Sequence, residues 1–153
     1  MFDLYEEFKS IISALDEEKI DYALCGGLAM AVHGLPRATI DIDLLVLAER
    51  LDEAKSVVRS LGYTIEALPM SFSKGAIEIR RLSKIDPTDG DLLMVDFLVV
   101  TPAIADAWNN RIRVASKKST VSVVSPEGLI ALKSFRRSAQ DIADIERLKG
   151  RPR

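Results

Sequence analysis

Residues 40–47, IDIDLLVL, alternate apolar and acidic at one end and turn wholly apolar at the other. Alternation with period two marks a strand with one solvated face, and a continuous apolar run marks a strand buried on both faces. The segment therefore predicts a strand whose first half meets water and whose second half lies inside. Leu92–Val100 is a second such run, strongly apolar but for one acid, Asp96. Strands of this kind need cover, and the helical segments around them point to a layered α/β or α+β domain.

Phe2, Tyr5, Phe8, Ile12 and Leu15 recur at helical spacing, which predicts an amphipathic helix over 2–18. Tyr22–Cys25 reads as a short strand that stops at Gly26-Gly27, with a helix from Leu28 to His33. A helix from about Leu51 to Leu61 is closed by Gly62. Ala76–Leu82, Arg111–Ala115 and Thr120–Val124 read as further strands, giving a mixed sheet of about five strands flanked by helices. Ser125-Pro126-Glu127 opens a helix to about Arg137, and a last helix runs from about Asp141 to Lys149. Loops are expected near Leu68–Ser71, Pro87–Asp91 and Ser116–Ser119.

At 153 residues the chain is expected to form a single domain, 1–153. Its 48% apolar and 29% charged residues are those of a water-soluble globular protein. The expectation is a cytoplasmic protein, with no membrane-spanning run and an acidic rather than basic start. One cysteine, Cys25, and one histidine, His33, are too few for a thiolate or imidazole zinc site. Charge is uneven: residues 1–110 carry 10 basic and 19 acidic side chains, and residues 111–153 carry 11 and 4. Such a basic tail either complements its own acidic body or meets a phosphate-bearing partner.

Asp41 and Asp43, two apart on a strand, point to the same side, with Ile40, Ile42 and Leu44 on the other. Two adjacent carboxylates repel unless a cation lies between them, and an all-oxygen set suits Mg²⁺ or Mn²⁺. Asp96 sits in LLMVDFLVV, where an unpaired charge would be costly, so it needs either a metal or an arginine, Arg80 or Arg81. If its strand neighbours that of Asp41 and Asp43, three carboxylates gather around one or two divalent ions, an arrangement suited to phosphoryl transfer. Gly26 and Gly27 let backbone N–H groups approach a phosphate closely. The loop Gly34–Thr39 brings Arg37 near the acids, where it can meet them or a phosphate.

The run CGGLAMAVHGLPRATIDIDLLV resembles the signature of the nucleotidyltransferase superfamily that includes DNA polymerase beta: a strand, Gly-Gly or Gly-Ser, a spacer, then Asp-x-Asp. Glycines followed by Arg-x-Thr and Asp-x-Asp most resemble the abortive-infection AbiEii branch, the nucleotidyltransferase toxins of type IV toxin–antitoxin systems. LIALKSFRRSAQDIADI resembles the C-terminal helices of that branch. The resemblance implies the nucleotidyltransferase fold, Mg²⁺ or Mn²⁺ as cofactor and an NTP such as ATP as substrate. Asp41, Asp43 and Asp96 would be the catalytic and metal-binding residues of a two-metal mechanism, Asp41 and Asp43 holding both ions and Asp96 the one at the attacking oxygen. Gly26, Gly27, Arg37, Thr39, Lys133 and Asp141 would contact the nucleotide. Gly27 stands where many relatives carry Ser, which leaves only backbone donors there. The chain is short beside many toxin relatives, so an acceptor-binding domain is either absent or supplied by another protein.

The implied activity moves an NMP from an NTP to an acceptor hydroxyl on tRNA, a protein or a small molecule, with tRNA or a protein favoured and a cognate antitoxin as a possible partner. The alternative is a non-catalytic nucleotide-sensing or partner-binding module on the same fold. Several residues also have plainer readings: Asp141 as a helix cap, Lys133 as a helix-surface charge, His33 as a local contact, and Cys25 and Trp108 as packing.

Overall fold

The computed structural model describes residues 2–116 and 119–151. Asp3 caps the first helix, α1 (Leu4–Glu17), by accepting a hydrogen bond from the Glu6 N–H at 3.1 Å. Phe8, Ile11, Ile12 and Leu15 of α1 are buried, which is the stripe its sequence spacing foretold. The chain then enters β1 (Ala23–Cys25), α2 (Gly26–Val32) and β2 (Asp41–Val46). α3 (Leu51–Ser60) follows, then the short strands β3 (Ile65–Glu66) and β4 (Met70–Phe72) and the long strands β5 (Ile77–Ile85) and β6 (Leu92–Val99). A short helix α4 (Ala105–Asn109), the hairpin of β7 (Ile112–Ser116) and β8 (Ser119–Val123), and the helices α5 (Pro126–Arg136) and α6 (Ala139–Lys149) complete it.

The sheet is mixed and has eight strands, in the order β3-β5-β6-β2-β1-β8-β7, with β4 added against β5. The extra strands over the expected five are mainly the short β3 and β4, whose residues lack a clean alternating stretch. Met70 and Ser71, expected in a loop, pair with Ile79 and Glu78 of β5. The loop expected at 87–91 is present as a turn in which Asp86 accepts from the Thr88 N–H and hydroxyl. The one expected at 116–119 centres on residues 117 and 118, which lie outside the described residues.

Two pairings position the site. β1 runs antiparallel to β2, with Cys25 opposite Asp43. β2 runs parallel to β6, with Asp43 beside Asp96, and β5 runs antiparallel to β6, with Arg81 opposite Asp96. Cross-strand partners share a face, so Cys25, Asp43, Asp96 and Arg81 form one row across four strands. The alternate residues Ile42 and Leu44 are fully buried on the other face, as is Val95. The half-solvated start of β2 and its apolar end are both observed: Asp41 and Asp43 are partly open, and Leu44, Leu45 and Val46 are buried.

Candidate functional site

Asp41, Asp43 and Asp96 each offer a carboxylate oxygen within 4.8 Å of the others, the only such acidic or His/Cys group among the described residues. The register described above is the cause, because period two keeps Asp41 and Asp43 on one face and the parallel pairing sets Asp96 beside Asp43. The three environments differ. Asp41 accepts a hydrogen bond from the Thr39 hydroxyl at 2.9 Å. Asp96 is 3% exposed and is gripped by Arg81, whose Nε donates to Oδ1 at 2.7 Å and whose Nη2 donates to Oδ2 at 2.8 Å. Of the two arginines that the sequence offered to Asp96, Arg81 is therefore the partner, and Arg80 lies beside Glu78 instead.

Asp43 has neither kind of partner. Burial, then the charge of Asp41, then that of Asp96 push its pKa well above the ordinary carboxylate value, against a smaller opposing pull from Lys133 and Arg136. Among the described residues it has neither the hydroxyl donor of Asp41 nor the guanidinium of Asp96 to stabilise its ionised form. Cys25, next in the row, has its thiol pKa raised well above the usual value by burial and then by Asp43, so it stays a neutral core side chain and not a nucleophile.

Gly26 makes the room beside Asp43. Its backbone is left-handed, φ +69°, and a Cβ there would lie 2.0 Å from Asp43 Oδ2. Both facts demand glycine. Gly26→Ala is expected to destabilise the fold by about 1–2 kcal/mol from the backbone conformation alone, with a further cost as Asp43 is displaced; a thermal melt of the variant measures the sum. A Cβ on Gly27 would meet the Thr39 side chain at 2.7 Å, so the second glycine admits the loop that carries Thr39 and Arg37. The helix expected from Leu28 begins two residues earlier, at Gly26.

Asp41, Asp43 and Asp96 line one wall of a cleft, and Arg37, Lys133 and Arg136 line another. The basic tail thus partly complements the acidic body at this cleft. Arg37 does not touch the three acids. It holds both carboxylate oxygens of Asp144, with Nε donating at 3.1 Å to each. Lys133 Nζ donates to Asp144 Oδ2 at 2.9 Å, and the Gln140 amide donates to Oδ1 at 2.8 Å. Asp144 is fully buried, and no described side chain here is left with an unpaired buried polar atom. Burial alone would raise its pKa, but the hydrogen bonds from Lys133 and Arg37 outweigh that and hold it below the ordinary range.

Asp141 also lines the cleft, but as the third helical residue of a capping box: its carboxylate accepts from the Ser138 N–H at 3.1 Å and hydroxyl at 2.7 Å. The last helix starts two residues earlier than expected, so Ser138 rather than Asp141 is its cap. Asp144, the hub of the cationic wall, was not singled out from the sequence. A signal existed: Asp141, Asp144, Ile145 and Leu148 follow the i, i+3, i+4, i+7 pattern of one helix face, and Ile145 and Leu148 are buried on it. An acid on such a face requires a cation. His33 contacts the Val124 carbonyl at 2.8 Å, and Trp108 is buried, in line with their plainer readings.

The fold recurs in solved structures. A Thermotoga maritima protein classed with the nucleotidyltransferases matches at 18% identity and TM-score 0.62, over 95% of this chain and 88% of its own. The lincosamide antibiotic adenylyltransferase LnuA, in a lincomycin-bound structure, matches at 17% identity and TM-score 0.61, over 95% and 96%. ANT(2'')-Ia, in complex with adenylyl-2''-tobramycin, matches at 20% identity and TM-score 0.63, over 94% and 85%. These likenesses define the nucleotidyltransferase fold. No curated protein matches the sequence. The family described as "Nucleotidyl transferase AbiEii toxin, Type IV TA system" matches residues 11–148. The chain belongs to that family, and with it to the nucleotidyl-transfer proteins.

Proposed function

We propose that this chain moves a nucleoside monophosphate from an NTP to an acceptor hydroxyl in the cytoplasm. The observation that carries the reading is the single cleft with a ring of three carboxylates on one wall and Arg37, Lys133 and Arg136 on the other. The donor set fits a divalent cation: it is all oxygen, its members lie within 4.8 Å, and Asp43 is an acid that burial and two neighbouring carboxylates disfavour as an anion. Asp41 and Asp43 would hold Mg²⁺ or Mn²⁺, with Asp96 closing the ring. When bound, such an ion neutralises phosphate charge and makes a nearby hydroxyl more acidic.

The chain's own groups do the rest. Gly26 keeps the space beside Asp43 free of side chain, where the triphosphate can approach the strand end. Lys133 and Arg136 supply positive charge facing that space, Asp141 borders it, and Thr39 fixes the carboxylate of Asp41. Gly27 gives the Thr39 loop its close approach, and Arg37 orients Asp144 and through it Lys133. In the transfer the acceptor oxygen bonds the α-phosphorus, the bond from that phosphorus to the bridging oxygen breaks, pyrophosphate departs, and the hydroxyl proton passes to solvent. Catalysis on this arrangement is positioning plus charge neutralisation.

The favoured acceptors are tRNA and a protein hydroxyl, and a cognate antitoxin is the partner that the family suggests. No helix among the described residues is long and apolar enough to cross a membrane. The test is pyrophosphate release with each of the four NTPs, with Mg²⁺ or Mn²⁺ present and with total tRNA or cell protein added. Metal-dependent release that labels one acceptor class is expected. Binding of NTP with no release under any acceptor would identify a non-catalytic module. For tRNA, binding should weaken steeply between about 50 and 200 mM salt, as phosphate contacts do.

A further inference from the structure

Arg136 is the cation of the cleft wall that no acid grips. Arg37 and Lys133 both donate to Asp144, whereas no N–H of the Arg136 guanidinium donates to another described residue. Oδ2 of Asp141 stands 4.0 Å from its Nε, beyond hydrogen-bond reach, and already accepts from Ser138. Its closer companion is an aromatic ring: the guanidinium carbon lies over Phe72, 5.1 Å from the ring centre. The Arg136 side chain is 46% exposed and lines the cleft.

Phe72 ends β4 opposite Ile77 of β5, and Ile77 lines the cleft, so the ring is carried on the cleft side of that hairpin. Ser73, Lys74 and Gly75 then turn the chain with left-handed backbones, φ 52°, 56° and 90°. Non-glycine residues persist in that region where surrounding contacts hold them. Here the Ser73 hydroxyl donates to the carbonyl of Phe135, the residue before Arg136. The hairpin tip is thus fastened to the last turn of α5 at two adjacent residues. An ion pair consumes N–H donors, but an aromatic face attracts the positive charge as a whole. The ring therefore fixes the guanidinium and leaves its planar fork of donors for a phosphate, whose geometry that fork matches.

We propose that Phe72 is a positioning residue that holds Arg136 at the cleft mouth with its donors free for the triphosphate of the NTP. This rests on the nucleotidyl-transfer reading and deepens it: the tip of the β4–β5 hairpin, remote in sequence from both the glycine pair and the acids, sets the affinity for the triphosphate. Lys133, tied to Asp144, supplies charge from within the wall, and Arg136 makes the direct contact.

The test reads binding rather than turnover. The full chain with Mg²⁺ is titrated calorimetrically with the α,β-methylene analogues of ATP, GTP, CTP and UTP, and the tightest binder is compared with its nucleoside monophosphate. Arg136→Gln should weaken the triphosphate analogue at least about tenfold, as expected for a lost charge-assisted hydrogen bond. Phe72→Ala should weaken it about fivefold, the scale of a cation–π contact. Monophosphate affinity should stay within about twofold in both. Phe72→Leu keeps apolar bulk without a π face and should lose as much as Phe72→Ala, whereas Phe72→Tyr should restore binding to within about twofold of wild type. Thermal melts establish that each variant is folded, and Phe72→Leu carries the test if Phe72→Ala is not. Adding Phe72→Leu to Arg136→Gln should cost nothing further, because the ring acts through the guanidinium. Wild-type affinity in Phe72→Leu, additive losses in the double variant, or an equal loss of monophosphate would each overturn the role of Phe72 and leave nucleotidyl transfer standing. Failure of wild type to bind any of the four analogues would defeat the functional reading itself.

Discussion

Asp43→Asn is expected to lower metal-dependent nucleotidyl transfer by about 10³-fold or more while making the metal-free protein more stable. The two effects have one cause. Asp43 faces Asp41 and Asp96 in a ring within 4.8 Å, with burial raising the cost of its charge further. Its folded pKa is raised above the unfolded value of about 3.9. The stability that its proton provides is therefore fully present below that unfolded value and is lost as pH rises through the folded one. The metal-free wild type bears this loss as pH rises, and Mn²⁺ or Mg²⁺ should recover it. The asparagine variant has no charge to bury, so without metal it should be more stable than wild type at neutral pH and show a weaker fall in stability as pH rises. Thermal melts with and without Mn²⁺ measure both. A variant destabilised at neutral pH, or one with undiminished turnover, would contradict the account.

Asp144→Ala should be the most destabilising single change at the cleft, by about 3–5 kcal/mol. Asp144 is fully buried and holds Arg37, Lys133 and Gln140 together, joining the loop before β2 to α5 and α6. Its loss leaves Lys133, only 7% exposed, with a positive charge and no counter-ion. For a domain of this size, such a change lowers the melting temperature by roughly 10 °C. Asp141→Ala removes only the reciprocal arm of a capping box and should cost about 1 kcal/mol, so the pair of variants ranks the two acids. Since the Asp144 carboxylate is held below its ordinary pKa, its stabilising effect is present above the unfolded value and fades as pH falls through the folded one.

Much of the carboxylate side of the cleft was legible before any coordinates. The alternation in IDIDLLVL fixed which face Asp41 and Asp43 share, because a strand has only two faces and the apolar residues claim one. The isolated acid in LLMVDFLVV announced that Asp96 must be paired, and it named Arg81 as one of two candidates. The cationic side was less legible. Lys133 and Arg37 were visible as charges, but their shared partner lies 11 residues from one and 107 from the other. Asp144 has no local signature beyond its helix-face spacing, so its role as the shared partner is not visible in the sequence. The short β3 and β4 were invisible because two- and three-residue strands are made by pairing with β5, and not by their own pattern.

What the sequence determined on its own is local: strand and helix periodicity, the glycine pair, and the family to which residues 11–148 belong. What only the tertiary structure decided is adjacency. That Asp43 stands beside Asp96 and Asp96 opposite Arg81 depends on which strands pair and in which register. Register is set by the burial of whole strand faces against the rest of the core, a sum over many distant residues that no single stretch of the chain contains.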